Sequence, residues 1–143
     1  MMKRIIGVFS LLILVPGLFA CSSGTNEAML ENVAWVLESY GEPGNLKALI
    51  IDTEITAEFV SAEDTIKGSA GCNHYSGGYE IKGRQLTIPG PIAATEMHCM
   101  EPPEVMDQEQ EYLAILQLAE SYEASGEELQ INCGNQVLIF NRD

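Results

Sequence analysis

The sequence predicts a mainly β domain of the α+β class, a small antiparallel barrel-like sheet with one helix near residues 103–120. Seven or more short apolar or alternating segments follow one another at close spacing, and turn residues separate them. A single segment shows helical periodicity. No repeat of 20–50 residues appears, so we expect one domain with one modest core.

The first half of the domain contains four predicted strand segments. Residues 33–37 form a compact apolar run that ends at a turn cluster, YGEPGN, over residues 40–45. A second apolar run covers residues 48–51. Residues 54–59 alternate between polar and apolar side chains, which is the clearest strand pattern in the chain, and residues 64–68 are expected to pair with them.

Two hairpins are predicted, each from a pair of strands around a glycine-containing turn. The first joins residues 79–81 to residues 85–88 through the turn sequence KGR. The second joins residues 128–132 to residues 137–140 through CGNQ, near the end of the chain. These hairpins supply the remaining strands of the predicted sheet.

The helix over residues 103–120 is predicted from its start signals and its apolar stripe. Pro102 and Pro103 suit a helix start. Glu104 and Asp107 are acidic and therefore suit the N-terminal end of a helix, where the helix dipole is positive. Five residues at helical spacing are expected to face the core: Val105, Tyr112, Leu113, Leu116 and Ala119. Three polar residues are expected to face solvent: Glu109, Gln110 and Glu120.

The N-terminus has the pattern of a cleaved signal peptide over residues 1–20. Lys3 and Arg4 precede an uncharged, largely apolar run of 16 residues that Pro16 and Gly17 interrupt near its end. A helix needs about 20 apolar residues to span a bilayer, so this run is short for one. An uncleaved anchor helix is the alternative interpretation.

The sequence LFAC at residues 18–21 resembles the lipobox of bacterial lipoproteins. The resemblance implies cleavage before Cys21 and acylation of that cysteine, with diacylglycerol on its sulfur and fatty acyl chains such as palmitate anchoring the protein to a membrane. Residues 21–29 are polar and small, and we expect a flexible tether there, followed by the domain over residues 30–143. Ser22 resembles an outer-membrane address, which would place the domain in the periplasm of a Gram-negative host.

The charge balance limits the partners. Without residues 1–20, the chain keeps 5 basic residues against 21 acidic ones, a net charge of −16. Such a surface repels nucleic acid, which we exclude as a partner. It permits a cationic envelope protein or small ligand, although acidic surface charge also serves solubility alone.

Two segments differ in character from the rest of the domain. Residues 71–79, GCNHYSGGY, combine glycines with Asn73 and predict a tight, structured loop that runs into a strand. Residues 95–99, TEMHC, stand just before the predicted helix. We call these segments the first motif and the second motif.

The two motifs resemble the META/HslJ domain family, whose pattern is G-C-N-x-Y/F-x-G-x-Y followed by T-x-M-x-C before a helix. Trp35-Val36-Leu37 and the closing strands also match, so the resemblance covers nearly the whole domain. The family residues present here are Gly71, Cys72, Asn73, Tyr75, Gly77, Tyr79, Thr95, Met97 and Cys99. The resemblance implies a small β-barrel-like domain, an envelope location and an association with stress or antibiotic tolerance. It implies no known reaction, no catalytic residue and no cofactor.

The cysteines suggest one disulfide. If Cys21 carries lipid, then Cys72, Cys99 and Cys133 remain in an oxidising compartment. A Cys72–Cys99 disulfide that joins the first motif to the helix entrance is the simplest arrangement, and it would leave Cys133 free. Pairings with Cys133 are the structural alternative.

A metal site is a second interpretation of the same segments. Cys72, His74, His98 and Cys99 would offer two thiolates and two imidazoles to Zn²⁺ or copper if the motifs touch. Adjacent residues on an extended chain point to opposite faces, which argues against His98 and Cys99 sharing an ion. The histidines are otherwise expected on the surface.

The remaining motif residues have structural interpretations. Thr95 and Met97 are expected to pack and cap near the helix start, and Trp35 to lie in the core.

No serine nucleophile elbow, phosphate loop or zinc-protease helix appears in the sequence. We therefore expect a non-enzymatic envelope lipoprotein, a binding or protective module in stress or antibiotic tolerance. Two alternatives are an inhibitor of a cationic hydrolase such as lysozyme and the metal-binding protein described above.

Overall fold

A computed structural model of the chain describes residues 24–143. The predicted signal peptide over residues 1–20 and the lipidation residue Cys21 lie outside that range. Two helices and eleven strands follow in this order: α1 Gly24–Leu30, β1 Ala34–Glu42, β2 Asn45–Ala48, β3 Thr56–Val60, β4 Thr65–Ser69, β5 His74–Gly78, β6 Glu80–Lys82, β7 Gln85–Thr87, β8 Ala93–Ala94, α2 Val105–Leu116, β9 Ser121–Ala124, β10 Glu128–Cys133 and β11 Gln136–Arg142.

All eleven strands belong to one antiparallel sheet that curls on itself. Its order is β6-β7-β9-β10-β11-β1-β3-β4-β5-β8, with β2 paired to β1. Strand β6 stands at one end of this order, and β5 is next to the other end. Because β5 ends at Gly78 and β6 begins at Glu80, the two ends of the order meet at the same stretch of chain. The predicted mainly β, barrel-like fold is confirmed, and the described residues contain two helices where one was predicted.

The core fills the inside of the curled sheet because the strands alternate between buried and more exposed residues. In β3, Ala57 and Phe59 are buried while their neighbours are half-exposed. Trp35 is fully buried, as predicted, and both predicted hairpins form, with Gly83 and Gly134 at positive φ in their turns. The largest fully buried side chains are Trp35, Tyr112, Tyr122, Phe59 and Phe140.

Helix α2 is shorter than predicted at both ends. Glu104 has a φ of 67°, outside the helical region, so the helix begins at Val105. At the other end the amides of Leu118 and Ala119 bond three residues back, to Ile115 and Leu116, and the chain then enters β9. Leu113 is half-buried and the rest of the predicted apolar stripe is buried. Gln110 and Glu120 are exposed as predicted, but the prediction for Glu109 is wrong, since Glu109 is buried.

The predicted strand over residues 48–51 is wrong. Strand β1 runs through most of the expected turn to Glu42, and β2 occupies residues 45–48 instead. Beyond β2, Ile50 donates its backbone N–H to the Gln108 side chain at 2.7 Å, and its carbonyl accepts the backbone N–H of Thr53 in a turn. These backbone groups are therefore hydrogen-bonded to α2 and within a turn rather than to a neighbouring strand.

Helix α1 begins at Gly24, so the described part of the expected tether over residues 21–29 is helical. The helix is docked on the barrel: Leu30 is fully buried, and its carbonyl accepts a hydrogen bond from the Trp35 indole at 3.0 Å. Neither helix in residues 24–143 is long and apolar enough to cross a bilayer.

Candidate functional site

A disulfide between Cys72 and Cys99 joins the two motifs, with 6.0 Å between their Cα atoms, and this predicted pairing is confirmed. Cys133 is the free cysteine among residues 24–143 and is fully buried. Burial, and then the charge of Glu120, raises the pKa of its thiol to about 12. A thiol in this state is a poor nucleophile and a poor metal ligand.

Asn73 connects the motifs a second time, through its side-chain amide. Its Oδ1 accepts the backbone N–H of Met97 at 2.7 Å and the hydroxyl of Thr95 at 2.8 Å. Its Nδ2 donates to the Met97 carbonyl at 3.1 Å and to Glu109 Oε1 at 2.7 Å. An amide group makes about four hydrogen bonds at most, so that of Asn73 is fully used inside the protein.

Glu109 supports the first motif from helix α2. Its Oε2 accepts the backbone N–H of Asn73 at 2.6 Å and that of Cys72 at 3.3 Å. Three N–H donors therefore converge on a carboxylate that is only 5% exposed. The sequence contains the signal for this placement, because Glu109 is four residues after Val105 and three before Tyr112 on the buried stripe of α2.

The predicted roles of Thr95 and Met97 at the helix start are wrong. Helix α2 has no side-chain cap hydrogen bond. Thr95 instead bridges the motifs, since its hydroxyl also accepts the backbone N–H of His74 at 3.2 Å. Met97 contributes its backbone to the amide of Asn73, while its side chain is 53% exposed.

The tyrosines of the first motif are hydrogen-bonded within the barrel. Tyr75 donates its hydroxyl proton to the Thr56 carbonyl at 2.9 Å, so in its 2.7 Å contact with Tyr112 the Tyr112 hydroxyl is the donor. Tyr79 donates to Glu31 Oε1 at 2.6 Å. Gly71 has a structural role as well, since its φ of +110° is one that residues with a side chain rarely adopt.

These contacts leave few side chains of the two motifs free to react or to bind a metal. Because the disulfide uses both sulfurs, the zinc or copper hypothesis for Cys72, His74, His98 and Cys99 loses its two thiolate ligands. Both histidines are exposed, as predicted. Over residues 24–143, no group of three or more potential His, Cys, Asp or Glu ligands is placed to hold a metal ion.

A cavity of about 560 Å³ lies beside α1 and the junction of β5 with β6, and its carboxylates take no part in the contacts between the two motifs. Four carboxylates line it, those of Glu27, Glu31, Asp64 and Glu80, together with Lys82, Ile81, Pro89, Gly78 and Tyr79. We call this cavity the acidic pocket. The sequence did not single out these acidic residues, because they are distributed over more than fifty positions among many others.

One buried hydroxyl lacks a hydrogen-bond partner among residues 24–143. Tyr122 on β9 is 1% exposed, and its hydroxyl is the one buried side-chain polar atom in the described part of the chain that has no hydrogen-bond partner. Burial, and then the charges of Glu27 and Glu31, raise the pKa of Tyr122 to about 12.

Comparison with known proteins identifies one family and several similar folds. A family model described as the META domain matches residues 28–143. The solved NMR structure of a protein from Burkholderia xenovorans aligns with a TM-score of 0.70 at 23% identity, covering 97% of this chain and 99% of that one. A second NMR structure aligns with a TM-score of 0.59 at 26% identity, covering 80% of this chain and 92% of the other.

A crystal structure of a DUF4847 family protein from Bacteroides vulgatus has a TM-score of 0.58 at 15% identity, covering 84% of this chain and 98% of that chain. At this level of identity, the likeness concerns the fold alone. No curated protein matches the sequence.

Proposed function

This chain belongs to the META domain family, and we propose that it is a non-enzymatic binding or protective module of the bacterial cell envelope. In this proposal a lipid on Cys21 holds it to a membrane, and it contributes to tolerance of envelope stress or antibiotics. In a Gram-negative host, the expected location is the outer membrane, with the domain in the periplasm.

The proposal rests on the observation that the family residues bond to one another or to α2. Asn73, Thr95 and Cys99 each bond to the opposite motif or to α2. Groups that perform acid–base or nucleophilic catalysis have to reach a substrate, whereas these groups reach only other parts of the same chain. Their arrangement suits a rigid scaffold that presents a surface, which is what a binding module needs.

Lipidation is tested first, by expressing the full chain with palmitate labelling and membrane fractionation. We expect labelled protein in the membrane fraction for the wild type, and unlabelled protein outside it for Cys21→Ser. Ser23→Ala is the matched control, because it changes a neighbouring residue and keeps the acceptor cysteine. Equal labelling of the wild type and Cys21→Ser would contradict the anchor.

The binding role is tested by deletion and by affinity capture from envelope extract with the tagged full chain. We expect the deletion strain to lose viability under an envelope-directed antibiotic, and the wild-type gene to restore it. Capture should recover an envelope partner. An unchanged stress response combined with no recovered partner would count decisively against the proposal.

Inhibition of a cationic hydrolase such as lysozyme is a second candidate, and the acidic pocket is the observation that favours it. The pocket concentrates negative charge in a chain whose formal net charge is −14. Complementary charge accelerates encounter with a basic enzyme. A lysozyme assay with a molar excess of the purified full chain tests this idea, and undiminished lysozyme activity would rule it out.

A further inference from the structure

We propose that the Cys72–Cys99 disulfide is a site of thiol–disulfide exchange, which a dithiol reduces while the protein stays folded, and that its reduction frees residues 98–104 from the barrel. We call residues 98–104, HCMEPPE, the strap. This inference goes beyond the proposed function and does not depend on the lipid anchor or on a binding partner.

The first argument is the accessibility of the disulfide. Both cysteines are partly exposed to solvent, and neither belongs to the buried core. Cys133 is the contrast, because it is fully buried within that core. Exposed disulfides are the labile ones in proteins, since a thiolate has to reach a sulfur in order to attack it. The Cys72–Cys99 pair therefore offers an attack site that requires no opening of the core.

The second argument is that, among residues 24–143, the disulfide is the one covalent or hydrogen-bonded attachment of the strap to the barrel. The strap lies outside the helices and strands, and all of its residues are exposed or half-exposed. Its backbone hydrogen bonds run only to the start of α2, where the Pro102 carbonyl accepts the N–H of Val105 and the Glu104 carbonyl accepts that of Gln108. None of the three salt bridges in the described part of the chain involves the strap.

The third argument is that the two motifs stay joined when the disulfide opens. Asn73 holds the backbone of Met97, the residue before the strap, and Glu109 holds Asn73. At the other end of the strap, Val105 begins α2 and is 2% exposed. Both ends are therefore fixed without the disulfide. A segment with few buried contacts opens locally, at a lower free-energy cost than unfolding of the whole domain.

The exchange balances with the dithiol as the reductant. One thiolate of the dithiol attacks the sulfur of Cys72 or Cys99, breaks the bond between them and forms a mixed disulfide, while the other cysteine leaves as a thiolate and takes up a proton. The second thiol of the reductant then displaces the bound cysteine and becomes part of a new disulfide. Two electrons and two protons have passed to the chain, which holds two thiols, and the dithiol is oxidised. A disulfide-bearing partner reverses the same steps.

The test is timed reduction of the purified full chain carrying Cys21→Ser with dithiothreitol. Brief labelling of free thiols by excess iodoacetamide and peptide mass mapping follow each cysteine separately. In native protein, we expect Cys72 and Cys99 to become labelled at a rate within about tenfold of their rate in urea. Cys133 is the internal control, and its native labelling rate should be at least about a hundredfold below its rate in urea. Circular dichroism should still show the native spectrum after reduction.

Release of the strap is tested by limited digestion with subtilisin, followed by mass mapping of the fragments. Cleavage within residues 98–104 should become at least about tenfold faster on reduction. Cys72→Ser/Cys99→Ser should be cleaved there as rapidly as the reduced wild type, with or without reductant. The exposed turn over residues 61–64 is the matched control, and its cleavage rate should change less than about twofold.

The inference is overturned if Cys72 and Cys99 are protected in native protein as strongly as Cys133, because reduction would then require unfolding of the core. It is overturned as well if reduction abolishes the native spectrum, or if the strap is cleaved equally fast in oxidised and reduced protein. None of these results bears on the proposed function, which is tested by labelling of Cys21, by deletion and by capture.

Discussion

Glu109 accepts hydrogen bonds from both the backbone and the side chain of Asn73. Oε2 accepts the backbone N–H at 2.6 Å, and Oε1 accepts Nδ2 at 2.7 Å. The two residues are 36 positions apart, and both are buried. This pair attaches the first motif to α2 and orients the amide that holds the second motif, so it determines how the three segments meet.

Glu109→Gln is expected to lower the free energy of unfolding by about 2–3 kcal/mol. The new amide nitrogen must face either the Asn73 N–H or its Nδ2, and a donor against a donor leaves a buried group unsatisfied. Urea denaturation measures the change. Glu111→Gln is the matched control: its carboxylate pairs with Lys47 at an exposed position, so it should cost less than about 1 kcal/mol. Equal costs for the two variants would show that Glu109 has no special role.

The case of Glu109 shows where inference from the sequence stops. Spacing places Glu109 on the buried stripe of α2, but its charge argued for solvent, because carboxylates are seldom buried without partners. The partners are N–H groups from a loop 36 and 37 residues away, and no local pattern reveals them. The disulfide was predictable because its cysteines mark the two motifs. The acidic pocket was not, because its carboxylates come from separate elements.

The predicted strand over residues 48–51 was wrong for a related reason. The run over residues 48–51 is apolar enough for a strand, yet the backbone N–H of Ile50 bonds to Gln108 on α2. The side chain of Ile51 is 83% exposed. Tertiary hydrogen bonds from a distant helix overrode the local preference. Alternating segments such as β3 were predicted well, because one buried face fixes their register.

Loss of the disulfide is expected to lower the free energy of unfolding by about 3 kcal/mol. Cys72→Ser/Cys99→Ser opens a loop spanning 27 residues, and the greater freedom of the unfolded chain accounts for the loss. The fold should persist, because Asn73 still connects the motifs. Denaturation with and without dithiothreitol provides the control. The reductant should bring the wild type to the stability of the variant and leave the variant unchanged; a variant as stable as the oxidised wild type would refute the prediction.

Cys133 is expected to resist thiol reagents until the chain unfolds. It is fully buried, and burial raises the pKa of its thiol to about 12, so almost no thiolate exists near pH 8. Ellman's reagent should label no thiol in native Cys21→Ser protein and one thiol in urea. The same protein with the further change Cys133→Ala is the control and should show none in urea. Rapid labelling of native protein would contradict this placement.

Raising the pH above 10 is expected to destabilise the protein through its five tyrosines. Burial is the first cause of a raised phenol pKa in each, to about 12 for Tyr40 and Tyr122 and further for the other three. Above the unfolded pKa of 10.0, the unfolded chain loses protons that the folded chain keeps. The free energy of unfolding therefore falls as the pH rises from 10 towards 12.

Absorbance at 295 nm, which reports phenolate, checks this prediction against far-ultraviolet circular dichroism. We expect phenolate to appear in one cooperative step together with loss of the native spectrum. The chain in urea is the control and should titrate near pH 10. Gradual ionisation near pH 10 with the native spectrum intact would contradict it.

Gly68→Ala is expected to be among the most destabilising small substitutions in the chain. A Cβ at this position would lie 2.0 Å from the Thr56 carbonyl oxygen and 2.7 Å from its carbon, so strands β3 and β4 must separate locally. The same carbonyl accepts the Tyr75 hydroxyl, and displacement would break that hydrogen bond. We expect a loss of about 3 kcal/mol and a fall in Tm of roughly 10 °C.

Gly126→Ala is the matched control for this glycine, because a Cβ there meets nothing within 4 Å. Its effect should stay within about 0.5 kcal/mol. Scanning calorimetry of both variants separates a specific clash from a general effect of alanine on chain entropy. A Gly68→Ala protein as stable as Gly126→Ala would mean that β3 and β4 do not approach as closely as the structure places them. In that case Tyr75, which depends on the same carbonyl, would need a different partner.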